Sequence, residues 1–96
     1  MRDLVVQLLR PHLQDLKHRF HVSSLCIFGS VARGEEKPDS DLDVLVSFDG
    51  PSTFDGYMDL KFFLEDLLNR KVDLLTEKGV RPKLRAVIEK DLIRIA

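Results

Sequence analysis

The stretch FGSVARGEEKPDSDLD, residues 28–43, joins the most apolar predicted strand of the chain to a second predicted strand. It begins with Phe28, Gly29 and Ser30 and ends with Asp41 and Asp43, which a single leucine separates. Glycine lets the backbone turn sharply and approach a ligand closely, and carboxylates bind hard divalent cations. The stretch therefore raises the question of whether the glycine turn and the two aspartates form one site.

Three short apolar runs predict strands. SLCIF, residues 24–28, ends at Gly29 and is typical of a buried strand. Residues 42–48 alternate in character, so the two faces of this strand carry different side chains. One face has Leu42, Val44, Val46 and Phe48, and the other has Asp41, Asp43, Leu45 and Ser47. VDLLT, residues 72–76, predicts the third strand.

Helices are predicted around these strands. Apolar residues at helical spacing over residues 4–20 predict two helical pieces, or one helix kinked at Pro11, because proline removes a backbone donor. Ser52 or Thr53 is expected to cap a helix that ends near Asn69. Four aromatic rings fall within ten residues of that helix, and such a cluster is more often core than interface. Because four rings exceed what one face can bury, one or two are expected to be left to meet a partner. These residues are Phe54, Tyr57, Phe62 and Phe63.

The alternation of strands and helices indicates the fold class. Pro82 fits the first turn of a last helix that runs to about Lys90, and a short strand is predicted within residues 92–96. A layered α/β or α+β arrangement is expected from this order. The 96 residues suit one domain, residues 1–96, because a chain of this size builds one compact core.

Composition limits the possible partners. The 15 basic and 16 acidic residues give a net charge of −1, so no global attraction for nucleic acid is expected. No apolar run reaches the ~20 residues of a membrane span, and residues 1–10 lack the features of a signal peptide, so a cytoplasmic location without a membrane partner is expected. Cys26 is expected to be a small buried hydrophobe, and the histidines lack zinc-site spacing.

Other phosphate and metal motifs do not fit residues 28–43. A P-loop needs lysine followed by serine or threonine where Glu35 and Glu36 stand. An EF-hand needs glycine where Val44 stands and glutamate where Gly50 stands. A phosphatase-type nucleophilic aspartate follows a buried strand, whereas here the strand follows the aspartates.

The remaining interpretation combines a phosphate pocket with a metal site. Residues i and i+2 of a strand point the same way, so Asp41 and Asp43 can hold Mg²⁺ together. Ser30, with the free amides of the helix that follows Gly29, can receive triphosphate oxygens. The alternatives without a functional role are that Gly29 only forms a turn, that Ser30 only caps a helix, and that Asp41 and Asp43 are solvated surface charges.

A third carboxylate, Asp73, lies between apolar neighbours in the third predicted strand. Burial of this charge is expensive without a partner, and a metal shared with Asp41 and Asp43 would supply one. A salt bridge from Asp73 to Arg70 or Lys71 is the alternative. Three carboxylates favour a two-metal phosphoryl-transfer site, in which Asp73 activates the acceptor by holding metal or as a general base.

Gly29-Ser30, ten further residues, Asp41-x-Asp43 and then Asp73 resemble the signature of the DNA polymerase β-like nucleotidyltransferase superfamily. Within it, the chain resembles the minimal nucleotidyltransferases, or MNT proteins, through the segments FGSVARGE, SDLDVLV and KVDLL. The resemblance implies a small mixed sheet flanked by helices, ATP as donor, and Mg²⁺ at the three aspartates. It also implies a phosphate contact for Arg33 and loop support for Ser40.

The same resemblance implies a partner. Many MNT proteins are antitoxins of an all-helical HEPN ribonuclease toxin, and some transfer AMP to one of its tyrosines. The leading expectation is thus a metal-dependent transfer of AMP from ATP to a hydroxyl of a HEPN toxin. The alternative is a binding module that neutralises the toxin without catalysis. Transfer to a small molecule is disfavoured, since the 23 residues after Asp73 are too few for a second domain.

Overall fold

The computed structural model describes residues 1–96 and contains one four-stranded sheet. Its strands are β1 (Val22–Phe28), β2 (Leu42–Phe48), β3 (Val72–Thr76) and β4 (Ile93–Arg94). They lie in the order β3-β2-β1-β4, in which β2 and β3 are parallel while β1 is antiparallel to β2 and to β4. The sheet is therefore mixed, as the resemblance implied.

Five α-helices surround the sheet. They are α1 (Arg2–Leu9), α2 (Leu13–His18), α3 (Gly29–Arg33), α4 (Phe54–Leu68) and α5 (Pro82–Glu89). Pro11 lies in a short 3₁₀ turn between α1 and α2, which confirms the predicted break. The Thr53 hydroxyl accepts the Gly56 N–H at 3.0 Å, and α4 ends at Asn69 in a left-handed conformation. None of the helices has both the length and the apolar character needed to cross a membrane.

The main hydrophobic core lies on one face of the sheet. Sixteen buried residues form it, among them Val44 and Val46 of β2 with Leu60 and Leu64 of α4. Leu45 of β2 and Ile88 of α5 are buried but stand outside this cluster. Because Leu45 alternates with Val44 and Val46, its side chain lies on the opposite face of the sheet, which α5 partly covers.

The aromatic residues of α4 divide between core and surface. Phe63 packs against Phe20 with ring centroids 4.9 Å apart, and the Tyr57 hydroxyl donates to the Leu74 carbonyl. Phe54 and Phe62 are 76% and 53% exposed. The expectation that one or two rings would remain exposed is confirmed.

Candidate active site

The two ends of residues 28–43 meet in the structure. Phe28, the last residue of β1, pairs with Asp43 of β2, and Gly29 begins α3 immediately afterwards with φ of +73°. A Cβ atom at Gly29 would lie 2.2 Å from Oδ2 of Asp43, which is a severe clash. The glycine therefore provides both the left-handed backbone and the space that the Asp43 carboxylate occupies.

The pairing of β2 and β3 brings a second aspartate beside Asp43. Asp43 and Asp73 are partners in the parallel register, so their side chains leave the same face of the sheet, opposite the main core. Asp41 lies one residue before β2. Asp43 is half-buried, whereas Asp41 and Asp73 are exposed. Three carboxylates thus gather at one end of the second face.

The expected burial of Asp73 is wrong. Its apolar neighbours Val72 and Leu74 point into the core, but Asp73 points to the other face of an edge strand and is exposed. The alternative of a salt bridge is also not observed, because Asp73 has no ion-pair partner and Arg70 instead donates to the Ser40 carbonyl. Solvent, rather than a partner, offsets this charge.

Charge and burial act together on Asp43. Burial raises the pKa of the Asp43 carboxyl above its ordinary value, and the negative charges of Asp73 and Asp41 raise it further. The guanidinium of Arg33 acts in the opposite direction and lowers it. Asp41, Asp73 and Arg33 are thus close enough to Asp43 to act on its charge.

The chemistry of these side chains suits Mg²⁺, although the structure does not present a closed ligand shell. Carboxylate oxygens are hard donors of the kind that Mg²⁺ binds, and the clearance at Gly29 leaves room for the carboxylate of Asp43, whose register partner is Asp73. No three acidic, histidine or cysteine side chains converge closely enough to hold a metal ion as they stand. The carboxylates are ligands of the type that Mg²⁺ prefers. The exposed side chains of Asp41 and Asp73 would have to rotate toward Asp43 before all three could bind one metal ion.

The predicted phosphate pocket lies next to Asp43. Ser30 is half-buried in the first turn of α3, and no side chain caps this helix. The first amides of a helix have no intrahelical partner, so they remain available to an acceptor. The Ser30 carbonyl accepts the Glu35 N–H at 2.8 Å, and Gly34 ends the helix with φ of +73°.

Arg33 is engaged in ion pairs. Its Nε lies 3.0 Å from Oε2 of Glu35, and its Nη1 lies 2.8 Å from Oδ2 of Asp91. The guanidinium is exposed, so a bound phosphate would compete with these two carboxylates. The predicted phosphate contact of Arg33 stays a prediction.

Ser40 organises the loop that leads to Asp41. Its hydroxyl accepts the Lys37 N–H at 2.9 Å, and its carbonyl accepts Nη1 of Arg70 at 2.6 Å. The Leu42 N–H also donates to the Lys71 carbonyl at 2.9 Å. Sequence reasoning missed Arg70, because a contact across thirty residues leaves no local signal and Arg70 was weighed only as an ion-pair partner of Asp73.

A glycine turn seated against one aspartate, with further aspartates at the ends of adjacent strands, defines a class of phosphoryl-transferring α/β domains. The comparison with known families identifies which class it is. The family model described as a nucleotidyltransferase domain matches residues 9–95. The chain belongs to this nucleotidyltransferase family.

The similarity to relatives of known family covers nearly the whole chain. A candidate protein adenylyltransferase of Methanocaldococcus jannaschii is 40% identical over 94 residues, which cover 95% of this chain and 94% of the relative. The protein adenylyltransferase MntA of Thermococcus cleftensis is 31% identical over 91 residues, covering 95% and 92%. The similarity therefore extends well beyond the site residues.

Solved structures agree with the fold. A candidate minimal nucleotidyltransferase superposes with a TM-score of 0.73 at 38% identity, covering 96% of this chain and 86% of that one. A chain in the structure of a tri-AMPylated Shewanella oneidensis HEPN toxin in complex with MNT antitoxin gives a TM-score of 0.71 at 18% identity, covering 100% of this chain and 72% of that one. The polymerase β-like fold expected from the sequence is confirmed.

Proposed function

We propose that this chain transfers AMP from ATP to a hydroxyl group of a HEPN-family toxin and thereby acts as its antitoxin. The hydroxyl group proposed as the acceptor is that of a tyrosine side chain. The observation that carries the proposal is the Asp43 carboxylate, which lies against Gly29 on one side and pairs with Asp73 on the other. The relative named MntA and the antitoxin found with an AMPylated HEPN toxin support the choice of reaction and partner.

Gly29 and Ser30 are proposed to bind the triphosphate of ATP. The uncapped amides at the start of α3 donate to phosphate oxygens, and the Ser30 hydroxyl adds a further donor. Arg33 is the nearest candidate cation, since its charge already acts on Asp43. Ser40 supports this pocket indirectly by holding the loop before Asp41.

Asp41, Asp43 and Asp73 are proposed to hold Mg²⁺, in a two-metal arrangement. Bound there, Mg²⁺ would neutralise charge on the phosphates and lower the pKa of the attacking hydroxyl. Asp43 contributes the fixed carboxylate, because the clearance at Gly29 and the neighbouring strands determine its position. Asp41 and Asp73 are exposed and free to rotate toward the same point.

Asp73 is proposed to orient the acceptor. It lies on the edge strand with its carboxylate exposed, so a hydroxyl of another protein can reach it from solvent. The hydroxyl oxygen forms a bond to the α-phosphorus of ATP, the bond from that phosphorus to the oxygen bridging the β-phosphorus breaks, and pyrophosphate leaves. Asp73 accepts the hydroxyl proton, or orients the hydroxyl while solvent takes the proton.

Transfer of label from ATP tests the proposal. A HEPN-family toxin is incubated with the chain, Mg²⁺ and ATP labelled at the α-phosphate, and its intact mass is measured. The wild type is expected to add whole AMP units. Asp43→Asn is expected to remove the transfer, whereas Asp59→Asn, an exposed carboxylate of α4, is expected to retain it. Undiminished transfer by Asp43→Asn would overturn the assigned site.

Neutralisation by binding alone is the second candidate function. The exposed rings of Phe54 and Phe62 favour it, since they offer a contact surface that is separate from the aspartates. In that case the triple variant Asp41→Asn, Asp43→Asn, Asp73→Asn would still suppress the ribonuclease activity of the partner, without any gain in its mass. Loss of suppression in this variant would favour the catalytic function.

A further inference from the structure

Helix α5 presents an apolar and basic face to solvent. Leu84 and Val87 are 47% and 58% exposed, whereas Ile88, the residue after Val87, is 3% exposed and faces the protein. Lys83, Val87 and Lys90 recur at intervals of four and three residues, so they form one stripe along the helix. We call this stripe, together with Leu84, the α5 face.

Helix α5 lies near the candidate active site at both of its ends. Toward its start, Leu84 and Leu75 line the same cavity of about 310 Å³, and Leu75 lies two residues after Asp73 on the same side of β3. Just beyond its end, Asp91 forms an ion pair with Arg33 of α3 at 2.8 Å. A protein that contacts α5 therefore comes close to Asp73.

The charge of the α5 face is positive and unbalanced. Arg85 is paired with Glu77 at 3.0 Å and with Glu89 at 3.4 Å. Lys83 and Lys90 are exposed and take part in no ion pair. Because the whole chain has a net charge of −1, this face differs from the average surface in sign. Its electrostatic complement is an acidic surface.

We propose that the α5 face docks the acceptor protein through an acidic segment that also carries apolar side chains. This inference rests on the proposed function and adds the chemistry of the acceptor. Val87 and Leu84 provide the apolar contact, and Lys83 and Lys90 pair with carboxylates on either side of it. The bound segment lies beside the edge strand and holds its hydroxyl near Asp73.

The other exposed apolar face, on α4, does not fit this role. Asp55, Asp59 and Asp66 flank Phe62 on one exposed stripe, so its charge is negative. Helix α4 also packs through Leu60 and Leu64 on the core face, opposite to that of Asp43 and Asp73. A partner bound only to α4 would be separated from the aspartates by the sheet. This stripe therefore provides a matched control.

Two synthetic peptides serve as probes of the α5 face. Both are helix-forming, contain one tyrosine and share their apolar residues, but one has glutamates where the other has lysines. Binding is followed by NMR titration of the ¹⁵N-labelled chain without ATP, and AMP transfer is measured separately with ATP and Mg²⁺. We expect the acidic peptide to bind, to shift α5 resonances and to weaken with added salt.

Charge reversal gives the decisive comparison. Lys83→Glu with Lys90→Glu is expected to weaken binding of the acidic peptide about tenfold, since two attractions become repulsions. Val87→Ser is expected to weaken it less and without changing the salt dependence. Asp59→Lys with Asp66→Lys reverses as many charges on α4 and is expected to leave peptide binding at least as strong.

Several results would overturn the docking proposal. One such result is that the Lys83→Glu, Lys90→Glu variant binds the acidic peptide as tightly as the wild type. Others are a preference for the basic peptide, no binding of either peptide, or NMR shifts confined to residues of α4. Self-association in sedimentation that disappears in the α5 variant would assign the face to a second copy instead. If the acidic peptide binds α5 but neither it nor any HEPN-family protein gains AMP, docking stands and the proposed catalysis fails.

Discussion

At the scale of single residues, the site depends on a glycine that the structure requires for two separate reasons. Gly29 has φ of +73°, and its missing Cβ leaves room for Oδ2 of Asp43. Gly34, five residues on, has the same φ but nothing within 4 Å of its Cβ position. A substitution at Gly34 therefore tests the backbone conformation alone, whereas a substitution at Gly29 tests the backbone conformation together with the clash.

Replacement of these glycines by alanine gives a paired prediction. Gly34→Ala is expected to lower the free energy of unfolding by about 1–2 kcal/mol through backbone strain alone, with little loss of AMP transfer. Gly29→Ala is expected to cost more and to abolish transfer, because Asp43 must move away from a new Cβ at 2.2 Å. Urea unfolding and label transfer provide the two measurements. Equal effects of the two changes would contradict the role of the clearance at Gly29.

Sequence patterns at this scale identified the residue types of the site but not their environments. The spacing from Gly29 to Asp43 indicated one site, and the structure places the two residues in contact. The exposure of Asp73 was not foreseen, because its apolar neighbours Val72 and Leu74 suggested burial on both faces. Only the position of β3 at the edge of the sheet, which no local pattern encodes, leaves Asp73 open to solvent.

At the scale of elements, local patterns predicted the three main strands and the helices. For α3 they predicted the start of the helix but not its length. Alternating residues predicted β2, and Pro11 and Thr53 marked the helix boundaries. The first strand begins at Val22, two residues before its predicted start at Ser24. The polar residue Ser23 interrupts the apolar run, so the run alone did not reveal this extension. The parallel register of β2 with β3 depends on packing of α4 and could not be read from either strand.

The turn between α4 and β3 also positions the loop before Asp41. Arg70 donates to the Ser40 carbonyl at 2.6 Å, Lys71 accepts the Leu42 N–H, and Glu65 accepts the Val72 N–H at 2.9 Å. These contacts fix the starts of β2 and β3 relative to each other. The separation of Asp41, Asp43 and Asp73 therefore depends on contacts that the three carboxylates do not make themselves.

Arg70→Ala tests this support. Loss of a charged hydrogen bond is expected to lower the free energy of unfolding by roughly 1.5–3 kcal/mol, and less if water replaces the guanidinium. The Mg²⁺ concentration for half-maximal transfer is expected to rise several-fold, since the Asp41 loop loses its anchor. Arg70→Lys should restore part of this effect, and Arg10→Ala, an exposed arginine without such a contact, should show none. An unchanged Mg²⁺ requirement in Arg70→Ala would show that the loop is held by other contacts.

At the scale of the whole molecule, the small net charge conceals a strong asymmetry. The exposed stripe of α4 is acidic and the exposed face of α5 is basic, although the total is only −1. Composition therefore indicated the absence of a general attraction for nucleic acid, but it could not indicate two differently charged faces. The acidic stripe and the basic face are recognised as separate surfaces only from the structure, in which α4 and α5 lie on opposite sides of the sheet.

One ion pair joins the site to the C-terminal part of the chain. Arg33 of α3 and Asp91 lie 58 residues apart in sequence, and their side chains are 2.8 Å apart. Together with Glu35, Asp91 pairs with the guanidinium of Arg33, for which the family resemblance implies a phosphate contact. If Arg33 binds the triphosphate of ATP, the nucleotide must compete with these carboxylates, and the competition is adjustable by mutation.

Asp91→Asn is expected to lower the KM for ATP a few-fold, because Arg33 is released from one competing charge. Arg33→Gln is expected to raise this KM with a smaller change in kcat, since the proposed role of Arg33 is to bind phosphate and not to contact the acceptor. Asp55→Asn, which removes an exposed carboxylate of α4, serves as the control for net charge. Steady-state transfer at varied ATP concentration measures all three variants. A KM for ATP that is the same in Arg33→Gln as in the wild type would show that Arg33 serves only to join α3 to the end of α5.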